Sequence, residues 1–236
     1  MEIKTIYEDN DVLVIDKPAG LVVFPEGEAQ ENQEETLIDI LIEQYPELKK
    51  VGDQPRYGVV HRLDKDTSGV LLVAKNEQAL IFLQKQFKNR EVEKEYAALV
   101  TGRIKEDSGR IKTLVGRSKG DPRKQVTIDP GKRAPDAREA ITEFKVLERY
   151  KNYTLCQVKI LTGRRHQIRC HLSYIHHPIA GDKLYGFKDS PCPEGLERQF
   201  LHAKYLKIKL PNGETKEFQS NLPEELEKII DKLARQ

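Results

Sequence analysis

Cysteine is scarce in this 236-residue chain: Cys156, Cys170 and Cys192 are too few and too widely spaced for a disulfide framework or a cysteine-based zinc site, so reduced thiols are expected. No apolar run approaches the roughly 18–20 residues of a membrane helix. The start, Met1-Glu2-Ile3-Lys4, lacks the basic stretch and apolar segment of a secretion signal, and a cytoplasmic chain is expected. Neither a GxxxxGK[ST] phosphate loop nor a GxGxxG dinucleotide turn is present, which counts against ATP chemistry and hydride transfer. His166, His171, His176 and His177 lack the i, i+4 pair with an intervening glutamate used by zinc hydrolases, so no metal is expected. No internal repeat is visible. Nor is there a large net charge; the formal value is only +2.

The distribution of charge says more. Residues 1–50 hold 4 Lys/Arg against 13 Asp/Glu, whereas residues 101–140 hold 11 against 6. Such asymmetry predicts a basic face for a polyanion in the later part of the chain, set against the alternative of solvated charges on ordinary helices and hairpins. With 38% hydrophobic residues spread throughout, the chain reads as globular and as one domain over 1–236.

The rest is organised around His61-Arg62-Leu63-Asp64-Lys65-Asp66-Thr67-Ser68-Gly69, which packs acid, base, hydroxyl and glycine between two apolar runs. Tyr57-Gly58-Val59-Val60 leads in, and Val70-Leu71-Leu72-Val73-Ala74 leads out as a buried strand. Asp66 with Thr67, Ser68 and Gly69 is ordinary turn chemistry. Asp64 has no such explanation, and two readings stand: a reactive, partly desolvated carboxylate, or a structural ion pair with Arg62.

His61 through Gly69 resembles the signature loop of the RluA-type pseudouridine synthases. Four further runs agree in order: Asp16-Lys17-Pro18-Ala19-Gly20-Leu21, Lys94-Glu95-Tyr96, Leu161 through Arg169, and Gly181-Asp182-Lys183-Leu184-Tyr185-Gly186. The resemblance implies isomerisation of uridine within RNA, ribosomal large-subunit RNA or tRNA, without a cofactor. The N1–C1′ glycosidic bond breaks, the base turns in place, and C5 bonds to C1′. It implies Asp64 as nucleophile or as base on the sugar, Tyr96 stacked on the uracil, Arg169 paired with Asp64, and Arg62 holding a flipped nucleotide. Two positions depart from the family pattern: Phe24 stands where histidine is usual, and Arg165 where threonine or serine is usual, which changes a contact near the cleft. No S4 RNA-binding module is expected before residue 16. A non-catalytic RNA-binding module is the competing class, and a hydrolase would normally need a second carboxylate about the scissile bond.

Further RNA contacts are expected from Arg165, from Lys17, and from Arg117, Lys119, Arg123 and Lys124 in a flexible basic loop over 116–124. Read locally, Lys17 is a solvated turn lysine. The remaining elements follow from periodicity and end signals. Strands are expected over 3–7, 12–15 and 94–101, a third apolar run over 21–24, and hairpins joined at 151–152 and 211–214. Helices are expected after Thr36, after Asn76, near 168–175 and over 223–234, and an unpatterned mobile loop over 25–35. Hairpins outnumber strand-helix-strand units. The fold class is therefore α+β, and the resemblance specifies the pseudouridine synthase fold: a large, mixed, mostly antiparallel sheet flanked by helices and loops, with a catalytic cleft across it.

Overall fold

The computed structural model describes residues 3–25, 34–132 and 135–234; of the loop expected over 25–35, residues 26–33 lie outside them. The chain divides into two compact units, Met1–Lys94 with Ala203–Asn221, and Glu95–His202 with Leu222–Gln236.

In the first unit, β1 (Lys4–Glu8), β2 (Val12–Lys17), β3 (Ser68–Ala74), β9 (Leu201–Lys209, from Ala203 onward) and β10 (Thr215–Gln219) run in the order β1-β2-β3-β9, with β10 paired to β9. The β1–β2, β2–β3 and β9–β10 pairings are antiparallel. Every residue of β3 is buried, as expected for a continuous apolar strand covered on both faces. Val12, Val14, Val70, Leu72 and Ala74 pack with Leu206, Ile208 and Phe218 and with Ala79, Leu80 and Leu83 of α2 (Glu77–Asn89). Asn76 caps α2 as expected, its Oδ1 accepting from the Ala79 N–H at 2.9 Å. The earlier helix α1 (Leu37–Gln44) starts at Thr36, whose N–H and hydroxyl both donate to Asp39, and Pro46 opens a 3-10 turn at its end. The apolar run 21–24 is not a strand. The Val22 and Val23 carbonyls instead accept from the Leu37 and Ile38 N–H groups, giving two helix-end donors their partners.

The second unit is built on β4 (Glu93–Thr101, from Glu95 onward), β5 (Ser108–Arg117), β6 (Gln125–Ile128), β7 (Arg138–Arg149) and β8 (Tyr153–Ile160), in the order β4-β8-β7-β5-β6. Each of these neighbouring pairs is antiparallel. The α+β arrangement expected from the sequence is what both units show. Helix α3 (Gln167–Tyr174) packs on β5 and β7 through Cys170, Val115, Ala140 and Tyr185. Helix α4 (Glu224–Ala234) buries Leu226, Ile229 and Leu233, and Arg198 reaches its Glu225 at 2.8 Å. Gly116 and Arg117, expected in a loop, are the last residues of β5, because β6 pairs back on them in register.

Candidate active site

The signature loop is held by its backbone. The Asp64 carbonyl accepts from the Thr67 N–H at 3.0 Å, closing a turn that leaves Asp64 half-buried and Thr67 and Ser68 buried. The Lys65 carbonyl takes two donors, the Gly20 N–H at 2.9 Å and Lys17 Nζ at 3.0 Å. Gly69 closes the loop with φ +117°, and a Cβ there would sit 2.2 Å from the Ala203 carbonyl oxygen, so both conformation and space demand glycine.

Lys17 is not the solvated turn lysine of the local reading. It is 0% exposed, and its ammonium donates to the Pro18, Leu21 and Lys65 carbonyls at 2.7, 2.8 and 3.0 Å. A buried ammonium so committed is not placed to reach a phosphate, and its work is to tie the 16–21 turn to the signature loop. Sequence alone could not reveal this, since the acceptors are main-chain carbonyls.

His61 opens the loop as a packing residue. It stacks on Phe87 with centroids 4.8 Å apart, and its Nε2 accepts the Leu72 N–H at 3.0 Å, which requires the neutral ring protonated on Nδ1. Burial, with Lys94 nearby, pushes its pKa down to about 3. Lys94, over the other reach of the Phe87 ring at 5.4 Å, is itself lowered by burial to about 8. Arg62 is half-buried, its guanidinium 5.4 Å from the Phe24 ring centroid.

In the second unit, Tyr96 sits buried in β4 opposite Val158. Arg169 projects from α3 and is 7% exposed. Its Nε and Nη2 donate to the two oxygens of Asp182 at 2.7 and 2.9 Å, and its guanidinium lies 5.1 Å from the Tyr185 ring centroid. Asp182 Oδ1 also accepts the Leu184 and Tyr185 N–H groups, so the 181–186 motif folds into a carboxylate cradle for this arginine. The expected pairing of Arg169 with Asp64 joins residues of different units; Asp182, the partner within its own unit, was missed. The Gly-Asp-x-x-Tyr-Gly run was visible in the sequence, but nothing in it said which cation its aspartate serves.

The third motif anchors α3 to the sheet. Gln167 donates to the Ile141 carbonyl and Thr142 Oγ1, both at 3.0 Å, while its Oε1 accepts from Thr162 and the Arg164 N–H. His171, one turn further, lies between Thr113 and Thr142 at 2.9 and 2.8 Å, and burial lowers its pKa to about 4. A histidine whose folded pKa lies below its unfolded value stabilises the fold above the unfolded pKa, near 6.5, and loses that contribution as pH falls toward 4. Unfolding free energy should therefore fall between pH 7 and 5, by on the order of 2 kcal/mol from His171, and His171→Gln should remove that part of the dependence while leaving the part due to His61. An unchanged slope in that variant would refute the assignment.

Of the basic residues expected to face RNA, Arg165 is exposed just before α3. Arg117, Lys119 and Arg123 are exposed and Lys124 is half-buried in the β5–β6 connection. That connection is more structured than a flexible loop. Ser118 N–H donates to the Lys124 carbonyl, the Gln125 N–H donates to Tyr185 Oη at 2.6 Å, and Arg123 is held two-pronged on Asp121.

Asp64 thus lies on a loop tied by main-chain bonds in the first unit, and Arg169 is braced by Asp182 of an adjoining motif in the second. Comparison with known proteins makes the class definite. Residues 11–174 match the RNA pseudouridylate synthase family, and the chain belongs to it. It is 41% identical over 236 residues to an uncharacterized RNA pseudouridine synthase of Bacillus subtilis, covering all of this chain and 74% of that protein. It is 39% identical to the ribosomal large subunit pseudouridine synthase D of Pseudomonas aeruginosa, over 95% of this chain and 70% of the relative. Among solved structures, human RNA pseudouridylate synthase domain containing 4 superposes with a TM-score of 0.76 at 25% identity, covering 98% of this chain and 93% of that one. The chain is an RNA pseudouridine synthase, an isomerase acting on RNA.

Proposed function

We propose that the substrate is a uridine in ribosomal large-subunit RNA, with Asp64 as the reacting carboxylate, Tyr96 as the stacking platform for the uracil and Arg169 as the supporting cation. The observation that carries this is Asp64 itself, half-buried on a loop whose turn is closed by the Thr67 N–H on the Asp64 carbonyl. The choice of RNA rests on the similarity to the large-subunit enzyme of Pseudomonas aeruginosa.

The reaction conserves atoms. The N1–C1′ bond breaks with Asp64 acting at C1′ or as base on the sugar, the base turns, C5 bonds to C1′, and the proton lost from C5 is balanced by one gained at N1. A uridine within a stack must first leave it, at a cost of about a few kcal/mol that phosphate and stacking contacts offset. Incubating the protein with a large-subunit RNA fragment and assaying C-glycoside, free uracil or neither tests the reading. Free uracil would mean hydrolysis. C-glycoside in a tRNA but not in the ribosomal fragment would overturn the choice of RNA.

Tyr96→Phe should retain RNA binding while losing turnover if the hydroxyl acts at C5, and Tyr96→Ala should lose both. Full activity in Tyr96→Phe reduces the residue to packing. Binding should also weaken steeply with salt, because release of the counterions condensed on RNA gains less free energy as bulk salt rises. Arg117→Ala and Lys119→Ala should reduce that slope more than Arg123→Ala, whose guanidinium is already held by Asp121. Equal slopes would discredit the β5–β6 connection as a contact.

A further inference from the structure

Arg56 is given no role by the sequence motifs or by the chemistry above, yet it shares a ring with the signature loop. Its Cζ lies 5.0 Å from the Phe24 centroid, and the Arg62 Cζ lies 5.4 Å from the same centroid. Phe24 is only 5% exposed, whereas Arg56 is exposed and Arg62 half-buried. A buried aromatic ring thus gathers two guanidinium groups, no more than about 10 Å apart, at the surface of the first unit.

The roots of both arginines are fixed. Between them the chain is pinned along β3: the Gly58 carbonyl accepts the Ala74 N–H at 2.8 Å, Val59 bridges to Val73, and His61 accepts the Leu72 N–H. The Arg56 carbonyl accepts the Val59 N–H at 2.9 Å. A Cβ on Gly58 would lie 2.1 Å from the Ala74 carbonyl oxygen, so this close approach tolerates no side chain. With its roots held, the pair does not have to be ordered when an anion arrives, and preorganised guanidinium groups are suited to phosphate oxygens. Two like charges drawn to one ring repel each other, and an incoming polyanion relieves that repulsion as it binds.

We infer that Arg56 is a second RNA-contacting residue, held by Phe24 beside Arg62 to form a paired guanidinium clamp for backbone phosphate of the substrate RNA next to the flipped nucleotide. This rests on the reading of Arg62 as a substrate contact. Phe24 is the positioning residue of the clamp. Its ring carries no charge at any pH, so the attraction for both arginines persists under acid conditions.

The test uses the full-length chain and a uridine-containing RNA that the wild type converts. Arg56→Ala should raise KM about tenfold, with the loss falling on KM rather than kcat, and lower the salt slope by about one. Arg56→Lys should recover only part of this, because an ammonium lacks the planar fork. Phe24→Leu should reproduce the KM loss and make a further Arg56→Ala change nearly silent. Wild-type KM and salt slope in a well-folded Arg56→Ala protein would overturn the inference, as would a lowered melting temperature with unchanged RNA binding, the mark of a purely structural brace. If the wild type itself made no pseudouridine from any RNA offered, the underlying reading of the site would fall instead.

Discussion

Asp64→Asn should give a folded protein that binds RNA with near wild-type affinity and forms no pseudouridine. Asparagine nearly preserves the shape and one oxygen acceptor while removing the charge and the reactive oxyanion. Three bonds that hold the loop, from Thr67 N–H to the Asp64 carbonyl and from Lys17 and Gly20 to the Lys65 carbonyl, end on main-chain oxygens that the substitution keeps. Loss of a reacting group of this kind costs on the order of 10⁴-fold or more in turnover. The check is a C-glycoside assay over hours with excess enzyme, alongside melting temperature and RNA affinity. Measurable turnover by well-folded Asp64→Asn, once deamidation back to aspartate is excluded, would refute the catalytic assignment.

The second large effect is on stability. Removing either member of the Arg169–Asp182 pair should destabilise the protein by on the order of 3–5 kcal/mol, because a buried charge then loses a two-pronged ion pair. Asp182→Ala should be the more damaging change, since Oδ1 also serves the Leu184 and Tyr185 N–H groups and those donors would lose their acceptor together. Replacing both at once with apolar residues, Arg169→Met with Asp182→Leu, should cost less than Arg169→Met and Asp182→Leu added. Urea denaturation of the four proteins closes the cycle. Single variants within 1 kcal/mol of wild type would mean the pair is shared with solvent and does not brace the helix.

The elements that the sequence disclosed are those with local causes. Asn76 caps α2 because its side chain accepts a terminal N–H, Thr36 opens α1 through its bonds to Asp39 three residues on, and Pro211-Asn212-Gly213-Glu214 turns a hairpin for equally local reasons. The hidden ones are those whose partner is a main-chain carbonyl or a distant side chain. Lys17 reads as a surface lysine until its three carbonyls are known, and the apolar run 21–24 reads as a strand until its carbonyls are seen to serve α1. At the site, the motif pattern singled out Asp64, Tyr96 and Arg169 as residues. It carried no sign of the Asp182 cradle, or of Arg56 reaching the same ring as Arg62, since both depend on where guanidinium groups come to rest.

The way β3 is enclosed bears on how the chain can be trimmed. The family match ends at residue 174, which would suggest a shortened protein stopping there. Such a chain would lack β9, the neighbour of β3 in the first unit, and with it Ala203, against whose carbonyl Gly69 is fitted. The buried and mostly apolar β3 would then lose that neighbour and expose edge main-chain groups outside the 72–74 stretch that Gly58, Val59 and His61 cover, a template on which other chains add. A fragment cut at 174 should therefore be recovered as aggregate, and the shortest soluble form should retain the chain through β10, some forty-five residues past the end of the recognised family segment.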